Sequence, residues 1–95
     1  MTKTPTLKNL AIGFGLLSYP TRLTAMRMLA HSPRKASALG RALGLQENKL
    51  SYHLGLLRMG GLIERVRQGR PVMYQVRAAG LRELADAVAD LVPRR

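Results

Sequence analysis

Ninety-five residues make one domain with a thin core, and 16 Lys plus Arg against 5 Asp plus Glu give a formal net charge of +11, so a polyanion is the first partner to consider. The absence of cysteine excludes disulfides, thiolate metal sites and redox thiols. No apolar run approaches the roughly 20 residues of a membrane span, and the opening MTKTPTLKNLAIGFGLL has no small-residue cleavage motif, so a cytoplasmic protein that does not engage a membrane is expected.

Residues 1–6 are polar with Pro5 and read as a flexible arm; residues 7–92 read as one folded domain. Leu7, Leu10, Ala11, Phe14 and Leu17 recur at helical spacing. Gly13 and Gly15 interrupt this first helix and cost about 1 kcal/mol each relative to alanine, so it depends on packing rather than on propensity. Pro20 suits the first position of a second helix, in which Leu23, Met26 and Ala30 line one side and which stops before Ser32-Pro33. His31 falls at its end, where a cation is mildly favoured.

Arg34-Lys35-Ala36 reads as an extended connector, after which Ser37 can cap a third helix with Leu39, Ala42 and Leu43 inward. Gly44 ends that helix. A tight turn at Gly44-Leu45-Gln46 leads into a fourth helix that opens at Gln46 or Glu47 and closes at Gly60-Gly61. Leu50, Leu54 and Leu57 form its apolar back, which leaves Asn48, Lys49, Ser51, Tyr52, Gly55 and Arg58 turned elsewhere. Amide, hydroxyl, imidazole and cationic groups on such a face can read base edges and phosphates in a DNA groove. A short helix, a tight turn and this helix make a helix-turn-helix.

Residues 62–67 and 72–77 alternate around Gln68-Gly69-Arg70-Pro71 and predict a β-hairpin. Arg65, Arg67, Arg70 and Arg77 are set against Glu64 alone, which suits a wing that grips phosphates or enters a minor groove. A last helix over 79–91 carries Leu81, Leu84, Ala85, Val88 and Leu91 at the offsets of the first helix. The two matching stripes can bury against each other and against the same pair in a second copy. The expected fold is therefore mainly α with a small β-hairpin, a winged helix-turn-helix in the order helix, helix, helix, helix, strand, strand, helix, dimeric through its first and last helices. Leu7, Leu10, Phe14, Leu17, Leu81, Leu84, Val88 and Leu91 form the expected dimer interface.

With those elements in order, LSYPTRLTAMRMLA at 17–30 and LGRALGLQENKLSYHLGLLRMGGLIERVRQGRPVMYQV at 39–76 resemble the ArsR/SmtB family of winged-helix repressors, and the likeness covers roughly residues 17–92. The resemblance implies a homodimeric repressor on an inverted-repeat operator, released or modulated by an effector. Thiol-sensing members carry a Cys-x-Cys pair where this chain has Lys35 and Ser37, so sensing of arsenic, cadmium or lead through that site is excluded. Members that sense zinc, nickel or cobalt use His and carboxylate clusters on the last helix, where this chain offers Glu83, Asp86 and Asp90 without histidine. Asp86 and Asp90 alone would make a weak, unselective site. No metal and no cofactor is expected.

The expected base-reading residues are Gln46, Asn48, Lys49, Ser51, Tyr52 and His53. The expected phosphate and wing contacts are Arg22, Arg58, Arg65, Arg67, Gln68 and Arg70. The partners are double-stranded DNA and a second copy of the chain. No enzyme is expected, for there is no cysteine nucleophile, no phosphate loop and no plausible triad. The alternatives are an effector-independent architectural DNA-binding protein or a winged helix that binds proteins. An RNA-binding domain is disfavoured because Phe14 and three tyrosines form no stacking platform.

Overall fold

The computed structural model describes residues 4–66 and 71–94. The elements run α1 (Leu7–Leu16), α2 (Pro20–His31), β1 (Arg34–Lys35), α3 (Ala36–Leu43), α4 (Glu47–Met59), β2 (Ile63–Val66), β3 (Met73–Val76) and α5 (Ala78–Leu91). The domain is mainly helical around a small antiparallel sheet in the order β1-β3-β2.

Each helix starts and stops for a local reason. Thr6, placed by the sequence reading in a flexible arm, is the N-cap of α1, its hydroxyl accepting from the Asn9 N–H at 3.1 Å. Pro20 opens α2 behind an extended Tyr19. The cap of α3 is Lys35 and not Ser37: the strand pairing of Lys35 with Met73 holds its backbone extended and starts the helix two residues too early for the serine to cap it. Gly44 then stops α3 in a left-handed conformation (φ 67°), and the Leu45 N–H donates to the Gly40 carbonyl at 2.9 Å. Glu47 in the first turn of α4 and Arg58 in the last both complement the helix dipole.

The connector foreseen between α2 and α3 is a third strand. Arg34 pairs with Tyr74 and Lys35 with Met73, while β2 pairs with β3 from Ile63↔Val76 to Val66↔Met73. Two residues are too few to carry an alternating pattern, so only the partner strand reveals β1.

The core is built by Met26 and Leu29 of α2, Leu39 of α3, Leu50, Leu54 and Leu57 of α4, Leu62 and Ile63 at the start of β2, and Leu84 of α5. Leu39 and Leu57 are fully buried, so truncating either to alanine costs about 2–5 kcal/mol. The inward face of α2 is rotated from the expected one: Ala25, Met26 and Leu29 are buried, whereas Leu23 and Ala30 are exposed. Buried Arg22 lies on that same face, and its interior contacts set the rotation.

Two glycines let α5 approach the rest of the domain. Gly13 of α1 is buried, and a Cβ there would lie 2.8 Å from a Leu84 methyl of α5. At Gly80 a Cβ would run into the Gly61 carbonyl. The Arg77 N–H donates to the Leu62 carbonyl at 2.9 Å, and the Arg77 guanidinium donates to the Gly61 carbonyl at 3.3 Å. The entrance of α5 is thus pinned to the turn that ends α4, where Gly61 has φ 76°.

Leu84 therefore belongs to the core of its own chain, a correction to its expected place in a dimer interface. Leu10, Leu17 and Leu81 are half-buried against that core, whereas Leu7, Phe14, Val88 and Leu91 are exposed. Backbone contact at Gly80 cannot be relieved by a rotamer change, so Gly80→Ala should lower stability by about 1–3 kcal/mol. Gly55 on α4 has nothing within 4 Å of an added Cβ, so Gly55→Ala should raise stability by up to about 1 kcal/mol. Thermal melts of the two variants should move in opposite directions from the parent; a melt of Gly80→Ala at or above the parent value would contradict the close approach.

Candidate nucleic-acid interface

The helix-turn-helix follows directly from two leucine sets. Leu39 of α3 faces Leu50, Leu54 and Leu57 of α4 across the core, which fixes the rotation of α4 about its own axis. Asn48, Lys49, Ser51 and Tyr52 are all exposed as a consequence. Tyr52 is 64 % exposed, unusual for a large ring and useful for packing against a base. The Asn48 side-chain oxygen accepts from the Lys49 N–H at 2.8 Å, and its amide NH₂ has two donors to offer a base edge. Gln46 is the exposed N-cap of α4 and makes no side-chain cap bond.

His53 differs from its neighbours. It is half-buried, and its Nδ1 accepts from the Arg22 guanidinium at 3.2 Å, since an arginine can only donate. Its imidazole lies edge-on to the Tyr52 ring at 5.5 Å between centroids. Burial first, then the positive charges of Arg22 and Lys49, hold its pKa below the ordinary 6.5. A neutral imidazole with one nitrogen committed to the interior is a poorer candidate for base reading than the exposed residues beside it.

Arg22 is the clearer correction. It is 5 % exposed, its Nε donates to the Leu16 carbonyl at 2.7 Å, its Nη1 points at His53, and its guanidinium lies 4.1 Å over the Tyr19 ring. Those contacts withdraw it from the phosphate-binding set. A sequence can announce that an arginine precedes a helix, but not that neutral acceptors surround it.

The exposed cations lie elsewhere. Arg58 at the end of α4, Arg65 on β2 and Arg77 ahead of α5 line one cleft of about 600 Å³. Arg77 was not among the expected contacts, although its position in the basic hairpin was the signal that could have found it. Glu64 accepts from the Gln75 amide across the strands at 2.8 Å and lines the same cleft, one carboxylate against three guanidinium groups. Arg67, Gln68 and Arg70 lie outside the described residues. Among the described residues no cluster of three or more His, Cys, Asp or Glu could hold a metal ion, and no helix is long and apolar enough to cross a membrane.

Comparison with known proteins places the same segment at the centre. The family model described as bacterial regulatory protein, arsR family, matches residues 19–65. The chain is 30 % identical to an ArsR-like transcriptional regulator from Rhodococcus sp. RHA1, covering 88 % of this chain and 79 % of that one with a TM-score of 0.78. A second solved structure is the homodimeric winged helix-turn-helix DNA-binding domain of a possible ArsR-family transcriptional regulator from Mycobacterium bovis, 29 % identical over 88 % of this chain and 81 % of that one, TM-score 0.72. An uncharacterised HTH-type transcriptional regulator of Mycobacterium tuberculosis is 28 % identical over 99 % of this chain and 83 % of its own length.

The lowered pKa of His53 has a consequence for stability. In the unfolded chain the imidazole takes up a proton near pH 6.5, and in the folded chain only at a lower pH. Stability is therefore full above about pH 6.5 and falls as the pH drops from there toward the folded-state pKa. Melting temperature measured from about pH 8 to pH 5 should decline across that window, and His53→Asn should flatten the decline. An equal slope in the variant would assign the effect to another group.

Proposed function

This chain belongs to the ArsR family of bacterial transcriptional regulators and carries its winged helix-turn-helix DNA-binding domain; from that premise we propose that it is a homodimeric repressor that reads an inverted-repeat operator with α4. The observation that carries the reading is the helix itself. Three buried leucines fix its back, and Asn48, Lys49, Ser51 and Tyr52 stand exposed on its front.

In this reading Gln46 and Asn48 address adenine edges, Lys49 addresses guanine, and Tyr52 packs its ring on a thymine methyl while its hydroxyl and that of Ser51 bond to base edges or sugar. Arg58 and Arg65 neutralise phosphates, with Arg77 beside them in the same cleft. The wing residues Arg67, Gln68 and Arg70 extend that contact. Dimerisation uses Leu7, Phe14, Val88 and Leu91, apolar side chains left exposed on α1 and α5, with Leu10, Leu17 and Leu81 at the margin. A thin core supports this assignment, because burial shared with a second copy adds about 25 cal/mol for each Å² of apolar surface. The homodimeric state of the Mycobacterium bovis domain supports it as well. Two α4 helices related by a twofold axis enter successive major grooves about 34 Å apart, which accounts for the inverted repeat. Occupying such a site in a promoter excludes polymerase, the simplest route to repression, and it places the protein in the cytoplasm with the DNA.

The test separates reading from gripping. In a duplex selected by the protein from a random library, Asn48→Ala combined with Tyr52→Ala should cost about 2–6 kcal/mol and erase sequence preference. Arg65→Ala should weaken all duplexes alike and reduce the slope of log affinity against log salt by about 1. Unchanged preference in the double variant would leave the architectural alternative in its place.

A further inference from the structure

Arg22 sits where three helices meet. Its Nε is held by the carbonyl of Leu16 in the last turn of α1, its guanidinium covers Tyr19 at the head of α2, and its Nη1 donates to His53 in the middle of α4. Every one of those partners is neutral. Among the described residues this buried cation is stabilised by the negative end of the α1 dipole, by the ring face of Tyr19 and by the lone pair of His53. The Nδ1 lone pair is available only while His53 is unprotonated.

Beyond His53 the contacts continue outward. The His53 and Tyr52 rings pack in a T-shape with centroids 5.5 Å apart, and Tyr52 is exposed on the front of α4. An unbroken set of contacts therefore runs from the end of α1, a helix that carries part of the exposed apolar face, through Arg22 and His53 to the surface of the reading helix.

We propose that Arg22 and His53 are positioning residues that seat α4 against α1, and that protonation of His53 unseats the helix and weakens DNA binding, so that acid releases the protein from DNA. This rests on the reading of α4 as the recognition helix. A proton on Nδ1 turns an acceptor into a donor that faces a donor, and puts a second positive charge beside a guanidinium that has nowhere to retreat. Among the described residues the charged groups bearing on the ring are Arg22 from α2 and Lys49 from α4 itself, both positive, so a proton on the ring adds to charge of the same sign. From α1 the contribution to the cluster is the Leu16 carbonyl, and from the head of α2 it is the Tyr19 ring.

The direction of the pH response distinguishes positioning from contact. Were His53 to touch DNA, the imidazolium would attract phosphate and binding would tighten on acidification. A positioning His53 gives the opposite slope.

The experiment uses the full chain with His31→Gln, which leaves His53 as its single histidine, and a duplex that this protein has selected from a random library at about pH 7.5. Its dissociation constant should rise about threefold or more as the pH falls from about 7.5 to about 5.0, with a limiting slope of about tenfold per pH unit for one linked proton. Circular dichroism at each pH reports that the helices persist. Adding His53→Asn, whose side-chain oxygen offers Arg22 a neutral acceptor near the Nδ1 position, should keep the affinity at about pH 7.5 and flatten the profile. A constant that is unchanged or falls on acidification overturns the proposal without recourse to any variant, and so does an equal rise in the His53→Asn protein. Failure to select any preferred duplex at about pH 7.5 instead overturns the recognition-helix reading beneath it.

Discussion

A guanidinium that is 5 % exposed must find its partners inside the protein, and those that Arg22 finds join α1, α2 and α4 at one point. Much of the remaining geometry depends on that junction. The contact with the Leu16 carbonyl sets where α1 can end. The stack on Tyr19 sets how the chain enters α2, and the bond to His53 sets how α4 lies across both. Arg22 also rotates α2, bringing Ala25, Met26 and Leu29 inward. The leucines of α4 then complete the core, and a polar face is left on the outside of α4 as a geometric consequence.

A second constraint acts from the other end of the chain. Gly80 lets α5 rest directly on the turn at Gly61, and Gly13 lets α1 rest on Leu84. These two approaches tie the terminal helices to the helix-turn-helix, so that a copy docking on the exposed parts of α1 and α5 would be connected to both reading helices through packed backbone. The stripe of α5 is therefore divided along its length. Its first half, ending at Leu84, closes the monomer's own core, while Val88 and Leu91 remain exposed.

How far the sequence could be read followed the physics of each signal. Leu50, Leu54 and Leu57 announce the buried back of α4, Gly44 announces the end of α3 and Gly60-Gly61 the end of α4, because periodicity and turn glycines are local properties. The exposed front of α4 was legible for the same reason. Arg22 was not: its charge suggests the surface, and only the tertiary arrangement supplies a carbonyl, a ring and an imidazole around it. The half-burial of His53 was not legible either, since its partner Arg22 comes from another helix. Strand β1 was invisible because Arg34 and Lys35 carry no pattern of their own, and that pairing in turn moved the cap of α3 from Ser37 to Lys35. Gly13 reads as a helix breaker in the sequence, whereas in the fold it is the place where a leucine of α5 fits.

Two copies of this domain, as proposed, present two α4 helices to successive major grooves. Hydroxyl-radical footprinting on a duplex selected by the protein should then show two protected segments related by a twofold axis, their centres about 10 base pairs apart or a multiple of that spacing. A single protected segment, or uniform protection along the duplex, would contradict it.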